Sequence, residues 1–588
     1  MIRLLKRHLR PYAGSIGAVL LLLLTQALLD LYLPTLNREI INNGIMPNPV
    51  TGQSNVPYIW RTGGFMLLTA TVSMACAIAA SWFASRTAMA AGRDIRTRLF
   101  AHVQSFSRQE MDRFGTPSLI TRTTNDVQQV QIAVMMMLRM MVTAPLMAVG
   151  GVVMALRQDV TLSSIIAVIV PVMALFVALL ASRFLPMMGL QQKKLDRLTQ
   201  VMREKLSGVR VIRAFVREDY EEARFDTANR EHADVNLKIG RLMAYMMPAM
   251  TILFNTSMAA VLWFGAHRID AGLMDMGRLM AFLTYLMQIL MSVMIAVMMF
   301  ILLPRAAASA GRINEVLGLA PSIREPEPGA ARDLGNFGQA PALIRFDHVS
   351  FRYPGAEADV LTDICFDAAP GQVVAVVGST GSGKSTLVNL IPRFFDVTEG
   401  AVLLGGTDIR SLPLHTLRAQ IGFIPQKAFL FTGTVASNLR CGREEADDEA
   451  LWEALAIAQA RDFVAAMPNG LVAPIEQGGA NVSGGQRQRL AIARALVKQP
   501  ALYVFDDSFS ALDLKTDAAL RAALRRSLSN AVIFIVAQRI STIQRADLIL
   551  VLDEGRMAGR GTHEELLRTC EVYREIARSQ LPKGGRPA

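Results

Sequence analysis

At 588 residues with 52% hydrophobic content and a mean hydropathy of +0.32, the chain is too long for one ordinary domain and too apolar for a purely soluble protein. A formal net charge of +12 would suit a nucleic-acid binder. Basic loops on the inner side of a membrane account for much of it, so no nucleic-acid partner is expected. Cys76, Cys365, Cys441 and Cys570 are widely scattered with no pair at metal-ligand spacing, and no chemistry is assigned to them.

Six apolar runs fall near 14–36, 62–84, 131–156, 160–186, 243–265 and 279–303. Each has about the 20 residues needed to cross roughly 30 Å of hydrocarbon. The first is longer than the apolar core of a signal peptide and no small-residue cleavage site follows it, so it is expected to be retained. Arg3, Lys6, Arg7 and Arg10 precede it and place the N-terminus in the cytoplasm; an even number of spans returns the chain there. Segments 85–130 and 187–242 are rich in basic residues and are expected to be cytoplasmic, whereas 37–61, 157–159 and 266–278 are short and hold few. The expected location is the inner (plasma) membrane, multi-pass, in contact with the lipid bilayer and with both termini cytoplasmic. The two long basic loops read as spans continuing as helices, turning near 113–126 and 208–222.

Residues 1–316 therefore read as a membrane domain. Residues 317–341 are rich in Pro, Gly and charge and read as a linker. In 342–588 short apolar runs such as QVVAVVG, ALYVFDD and AVIFIVAQ alternate with helical stretches, the pattern of a mostly parallel sheet covered by helices. With Gly378, Gly383, Lys384 and Ser385 fitting G-x-x-x-x-G-K-[ST] after one of these runs, the predicted fold class is an α-helical six-span membrane domain followed by a cytoplasmic α/β P-loop NTPase domain.

Directly after QVVAVV comes the run Gly378, Ser379, Thr380, Gly381, Ser382, Gly383, Lys384, Ser385 and Thr386, which fits G-x-x-x-x-G-K-[ST]. A glycine-permitted loop between strand and helix can aim backbone N–H groups at phosphate oxygens. Lys384 would reach the terminal phosphates and Ser385 a magnesium ion, with Asp506, at the end of another apolar strand, as a further Mg2+ group.

With FRYP at 351–354, IPQ at 424–426, VSGGQRQRLAIARAL at 482–496 and SALD at 510–513, the chain resembles an ATP-binding cassette (ABC) half-transporter of the exporter fold. In detail it is similar to one member of the heterodimeric actinobacterial multidrug or lipid half-transporter pairs. The resemblance implies that ATP binds with Mg2+, that Tyr353 stacks on adenine, and that Gln426 contacts the metal. It also implies that Ser483, Gly484, Gly485 and Gln486 face ATP held by an opposite subunit, across a loop containing Asp513.

Two positions depart from the family. Asp507 stands where a Glu normally polarises the attacking water, and Gln538 where a His contacts the γ-phosphate. Asp is shorter by one methylene, about 1.5 Å of reach, and Gln cannot carry an imidazolium charge. Both differences fall on one composite site, so this chain is expected to bind ATP there and cleave it poorly. Its intact signature would serve a homologous partner with a complete Glu and His. A slow but active homodimer is the alternative. The stretch Glu476–Gly479 also departs from the family's Gly-Glu-Arg-Gly.

A lipophilic or amphipathic substrate, drug or lipid, is expected. Met135, Met136, Met137, Met140 and Met141 in the third run and Met287, Met291, Met294, Met298 and Met299 in the sixth suit such a cavity, or equally interhelical packing. Asp30 and Arg139, ionisable residues inside predicted spans, are candidate substrate contacts, or else sit near span ends facing water. Asn255 is a further candidate. A non-transporting ATP-gated regulator, or an importer on the same fold, is the alternative function.

Overall fold

The computed structural model describes residues 2–46, 53–327 and 342–580. Much of the expected linker, from residue 328, lies outside them, as do the side chains of Arg3, Arg7 and Met298. The chain divides into two compact units, Met1–Gln104 with Thr116–Ala320, and Ser105–Gly115 with Pro321–Ala588.

The first unit is helical. Six helices among the described residues are long and apolar enough to cross a membrane: Arg10–Ile45, Val56–Gln104, Thr116–Gln158, Val160–Ser207, Glu218–Asp270 and Met276–Ala296. Three of them run for 49, 48 and 53 residues, roughly 70–80 Å at 1.5 Å per residue. That is more than twice the hydrocarbon thickness, so the apolar runs do continue as helices past the span. Buried Asp159 shapes the one-residue connection at Gln158–Val160. One carboxylate oxygen caps the next helix by accepting from the Leu162 N–H at 2.8 Å, while the other takes Arg268 at 2.9 Å. Asn42 does comparable work at the start of the last helix, donating to Asp275 at 2.6 Å and accepting from the Gly277 N–H at 2.9 Å. In the interior, the buried Tyr285 hydroxyl donates to the Leu31 carbonyl at 2.8 Å.

The first turn lies mostly upstream of the expected 113–126 and overlaps it up to the helix break at Gly115. The chain reverses within Ser105–Gly115, around the short helix Arg108–Phe114, and residues 116–126 already belong to the third long helix. Ser107 and Glu110 close that short helix with reciprocal caps. Glu110 also accepts from the Ser322 N–H at 3.1 Å. The second turn falls where expected, through Gly208 and a short helix at Val209–Ala214.

Among its described residues the second unit carries twelve strands: β1 (Ile344–Phe351), β2 (Leu361–Ala368), β3 (Val373–Gly378), β4 (Glu399–Leu404), β5 (Thr407–Asp408), β6 (Ile421–Ile424), β7 (Gly433–Thr434), β8 (Pro474–Ile475), β9 (Leu502–Asp506), β10 (Val532–Val536), β11 (Leu548–Asp553) and β12 (Arg556–Gly561). One sheet is antiparallel in the order β2-β1-β4-β5. The larger has the order β12-β11-β3-β10-β9-β6 and is parallel apart from its β11-β12 edge. Its central strands are buried on both faces, as the unbroken apolar runs require. Period two sorts their side chains: Ala375, Tyr503 and Phe505 enter the core beneath one face, and Val374, Leu502 and Val504 enter the core shared with the antiparallel sheet. Because β3, β10, β9 and β6 are neighbours pointing the same way, the segments leaving their carboxyl ends emerge side by side.

Candidate functional site

Four of those segments form the site. After β3, Gly381 and Gly383 adopt φ of 88° and 94°, values that L side chains rarely reach, and the helix Lys384–Leu390 begins at once. A Cβ on Gly378 would collide with the Leu552 carbonyl. The loop thus needs glycine for close backbone packing as well as for turning. Lys384 Nζ folds back onto the Gly378 and Ser379 carbonyls at 2.9 and 2.6 Å, and burial lowers its pKa. The Ser382 hydroxyl is buried and has no hydrogen-bond partner among the described residues. An orphaned donor beside a glycine-permitted helix entry is the environment a phosphate satisfies.

The two adjacent aspartates part company. Asp506, at the end of β9, accepts from the Ser385 hydroxyl at 2.9 Å. Asp507 has a left-handed φ of 47° and accepts through one oxygen from two amides, Gln426 at 3.2 Å and Gln538 at 2.8 Å. Both carboxylates are buried, and desolvation raises both pKa values. The hydrogen bonds to Ser385, Gln426 and Gln538 pull the other way. The hard-oxygen set of Ser385, Asp506 and the Gln426 amide fits Mg2+, which favours carboxylate, carbonyl and water ligands.

The other predicted residues lie on separate features of the same unit. Tyr353 is partly buried, its hydroxyl 3.0 Å from Thr386 and its ring edge-on to Phe351 and Phe395. Ser483 caps the helix Gly484–Val497 in a reciprocal box with Gln486, leaving Ser483 and Gly484 exposed. Asp513 caps Leu514–Ser527 through the Thr516 N–H at 2.9 Å. Glu476–Gly479 forms a tight turn with Gly478 and Gly479 at φ of 69° and 70°.

Sequence reading missed two supports. Buried Ser508 donates to the Ile424 carbonyl at 2.9 Å and pins the aspartate corner to the strand before Gln426. Gln580 accepts from the Ile540 N–H and donates to the Gln538 carbonyl, each at 2.7 Å, and so grips the segment around Gln538. Neither belongs to a motif, and no pattern in the chain singles them out.

In the membrane unit, Met173, Met247, Met250, Phe254, Met291 and Met294 line an apolar cavity of about 350 Å³, together with Asn255. The predicted methionines of the third run do not line it. Asp30 and Arg139 are absent from it as well: Asp30 accepts from Ser73 at 2.5 Å and Gln26 at 3.3 Å, and Arg139 is exposed.

Residues 16–293 match the ABC transporter transmembrane region and residues 361–510 the ABC transporter family. An uncharacterised ABC transporter ATP-binding protein of Mycobacterium tuberculosis is 45% identical over 99% of this chain and 98% of its own length. A probable multidrug resistance ABC transporter ATP-binding/permease protein of Bacillus subtilis is 33% identical over 83% of each chain. An ATP-dependent lipid A-core flippase of Chromobacterium violaceum is 33% identical over 82% of this chain and 81% of its own. Among solved structures, a bacterial Atm1-family ABC exporter with ATP bound superposes with a TM-score of 0.80 at 25% identity, covering 99% of both chains. The chain belongs to the ABC transporters, as an exporter-type half-transporter whose multi-pass membrane region is joined to one ATP-binding domain.

Proposed function

We propose that this chain is the weakly hydrolysing half of a heterodimeric transporter for lipophilic or amphipathic compounds. The observation that carries the reading is the double amide clamp on Asp507, whose carboxylate is engaged by Gln426 and Gln538. A water-positioning group needs a correctly placed acceptor, and phosphoryl transfer depends on that placement, which the two amides on one oxygen and the shorter Asp side chain both bear on.

In this reading residues 1–316 form the transport half, 317–341 the linker and 342–588 the nucleotide half, at the inner membrane with cytoplasmic termini. Gly378 to Thr386 cradle the phosphates, and Tyr353 offers a ring to adenine. Ser385, Gln426 and Asp506 would hold Mg2+, which neutralises phosphate charge when bound. Ser483, Gly484, Gly485 and Gln486, with Asp513 nearby in sequence, face ATP on the partner. That partner is a homologous half-transporter carrying Glu and His at the two matching positions. The methionine-lined cavity supports a lipophilic cargo, since flexible thioethers adapt to varied apolar shapes. The names of the multidrug and lipid A-core relatives point the same way.

The test is ATP turnover by the full chain alone in lipid, with ATP binding measured in the same sample. Binding with almost no turnover is expected. Brisk turnover would establish a working homodimer and overturn the proposal.

A further inference from the structure

We propose that His348, Asp363 and Cys365 form a binding site for a borderline divalent cation of the zinc class on the antiparallel sheet, remote in role from the nucleotide chemistry. The site is made by an irregularity between neighbouring strands. β1 and β2 pair Phe346 with Phe366 and Val349 with Ile364, and the register shifts between these pairs. His348 sits on β1 within that shift, and Asp363 and Cys365 flank Ile364 on β2. His348 Nδ1 lies 2.6 Å from Asp363 Oδ1, and one ligand atom from each of the three residues lies within 4.8 Å of the others.

Two further observations set this cluster apart from an ordinary surface hydrogen bond. His348 and Asp363, neither of them glycine, both hold left-handed backbone, with φ of 49° and 50°. Asp and His are among the side chains that tolerate this region, so the irregularity is held without glycine. The Cys365 sulfur also accepts the His348 backbone N–H at 3.3 Å, which ties it to the same strand irregularity.

The donor set selects the cation. Imidazole nitrogen, thiolate sulfur and carboxylate oxygen are the ligands of Zn2+ and its Co2+ substitute, whereas Mg2+ and Ca2+ take oxygen. Side-chain exposures of 74% for His348 and 68% for Asp363 leave both free to rotate towards bonds of about 2.0–2.3 Å. The same exposure leaves a fourth position to water. Binding displaces the Cys365 thiol proton to solvent and forms the metal–sulfur bond, with no change of oxidation state. Bridging β1 to β2, the ion would brace the sheet edge.

The test titrates the full-length chain in detergent with Co2+, then displaces it with Zn2+ and measures Zn2+ affinity by competition with a chromophoric chelator. One Co2+ per chain with a thiolate-to-metal charge-transfer band is expected. Cys365→Ser should abolish the band, and His348→Asn should lower Zn2+ affinity about tenfold or more. Asn is chosen because it tolerates the left-handed backbone at 348. Zn2+ should raise the melting temperature of the wild-type chain and leave both variants unmoved, while all three bind ATP equally. No charge-transfer band in the wild-type chain, or a band and affinity unchanged in Cys365→Ser, overturns the assignment.

Discussion

Replacing Asp507 with Asn separates a working carboxylate from a retired one. The substitution keeps the shape of the side chain and one acceptor oxygen for the amides of Gln538 and Gln426, now at 2.8 and 3.2 Å. A positioned general base contributes about 10²–10⁴-fold. In a working site Asp507→Asn would therefore cost at least about a hundredfold, or about 2.7 kcal/mol of transition-state stabilisation. Here the expected change in turnover by the chain alone in lipid is less than about threefold, because little of that stabilisation is present to lose. The reverse experiment, Asp507→Glu with Gln538→His, restores about 1.5 Å of reach. Misplacement by 1 Å can cost about 10²-fold, so turnover should rise by about that factor. Glu at a φ of 47° is expected to destabilise the domain by about 1 kcal/mol, visible as a small fall in melting temperature. A hundredfold loss on Asp507→Asn from a brisk wild-type rate would refute the reasoning, whatever the double variant does.

Asp506 has a raised folded pKa, so its favourable contribution to the fold is complete below the ordinary Asp range and is lost as pH rises through the elevated value. Asp506→Asn should therefore match the wild-type melting temperature at acid pH and exceed it near neutrality, while losing Mg2+-dependent ATP binding; a pH-independent difference would contradict the burial argument. In Gly383→Ala the new Cβ would meet the Leu361 side chain at 2.8 Å and the Val360 carbonyl at 3.0 Å, with φ at 94°. About 1–3 kcal/mol of destabilisation and loss of nucleotide binding are expected by melting and ATP titration. Ser483→Arg should leave ATP binding by this chain alone unchanged and abolish turnover in the assembled pair, a split that separate binding and ATPase assays on chain and pair would read. Gln580→Ala removes a bond to the Ile540 amide, so hydrogen exchange at that amide should accelerate about fivefold, equivalent to about 1 kcal/mol.

The six spans could be read from sequence because hydrocarbon thickness imposes a length that a contiguous apolar run displays directly. The doubly buried strands could be read for a similar reason: β9 and β10 have no polar face to obscure them. The first turn between long helices was expected near 113–126, a stretch that contains Gly115, Thr116 and Pro117. Pro117 sits instead in the first turn of the helix Thr116–Thr121, where its missing N–H costs nothing. Of the methionines singled out from sequence, Met291 and Met294 of the sixth run line the cavity. Composition does not say which side of a fully apolar helix faces a cavity: Met173 stands alone in its run, and Met247 and Met250 belong to a cluster with Met243 and Met246 that the sequence reading passed over.

The nucleotide site shows the same limit more sharply. Its phosphate loop is contiguous and was visible at once, but Gln426 lies 81 residues before Asp507 and Gln538 lies 31 after it. Only the order β3-β10-β9-β6 makes them neighbours. The sequence assigns Asp506 and Asp507 different roles by resemblance, but it does not show the backbone that separates them. The left-handed backbone at 507 turns the second away from the first, so that one meets the Ser385 hydroxyl and the other two amides. Asp is among the few side chains that tolerate that backbone at low cost. The substitution that shortens the reach towards water therefore also relaxes the turn that carries it, which gives the domain a reason, apart from catalysis, to keep an aspartate there under the proposed heterodimer.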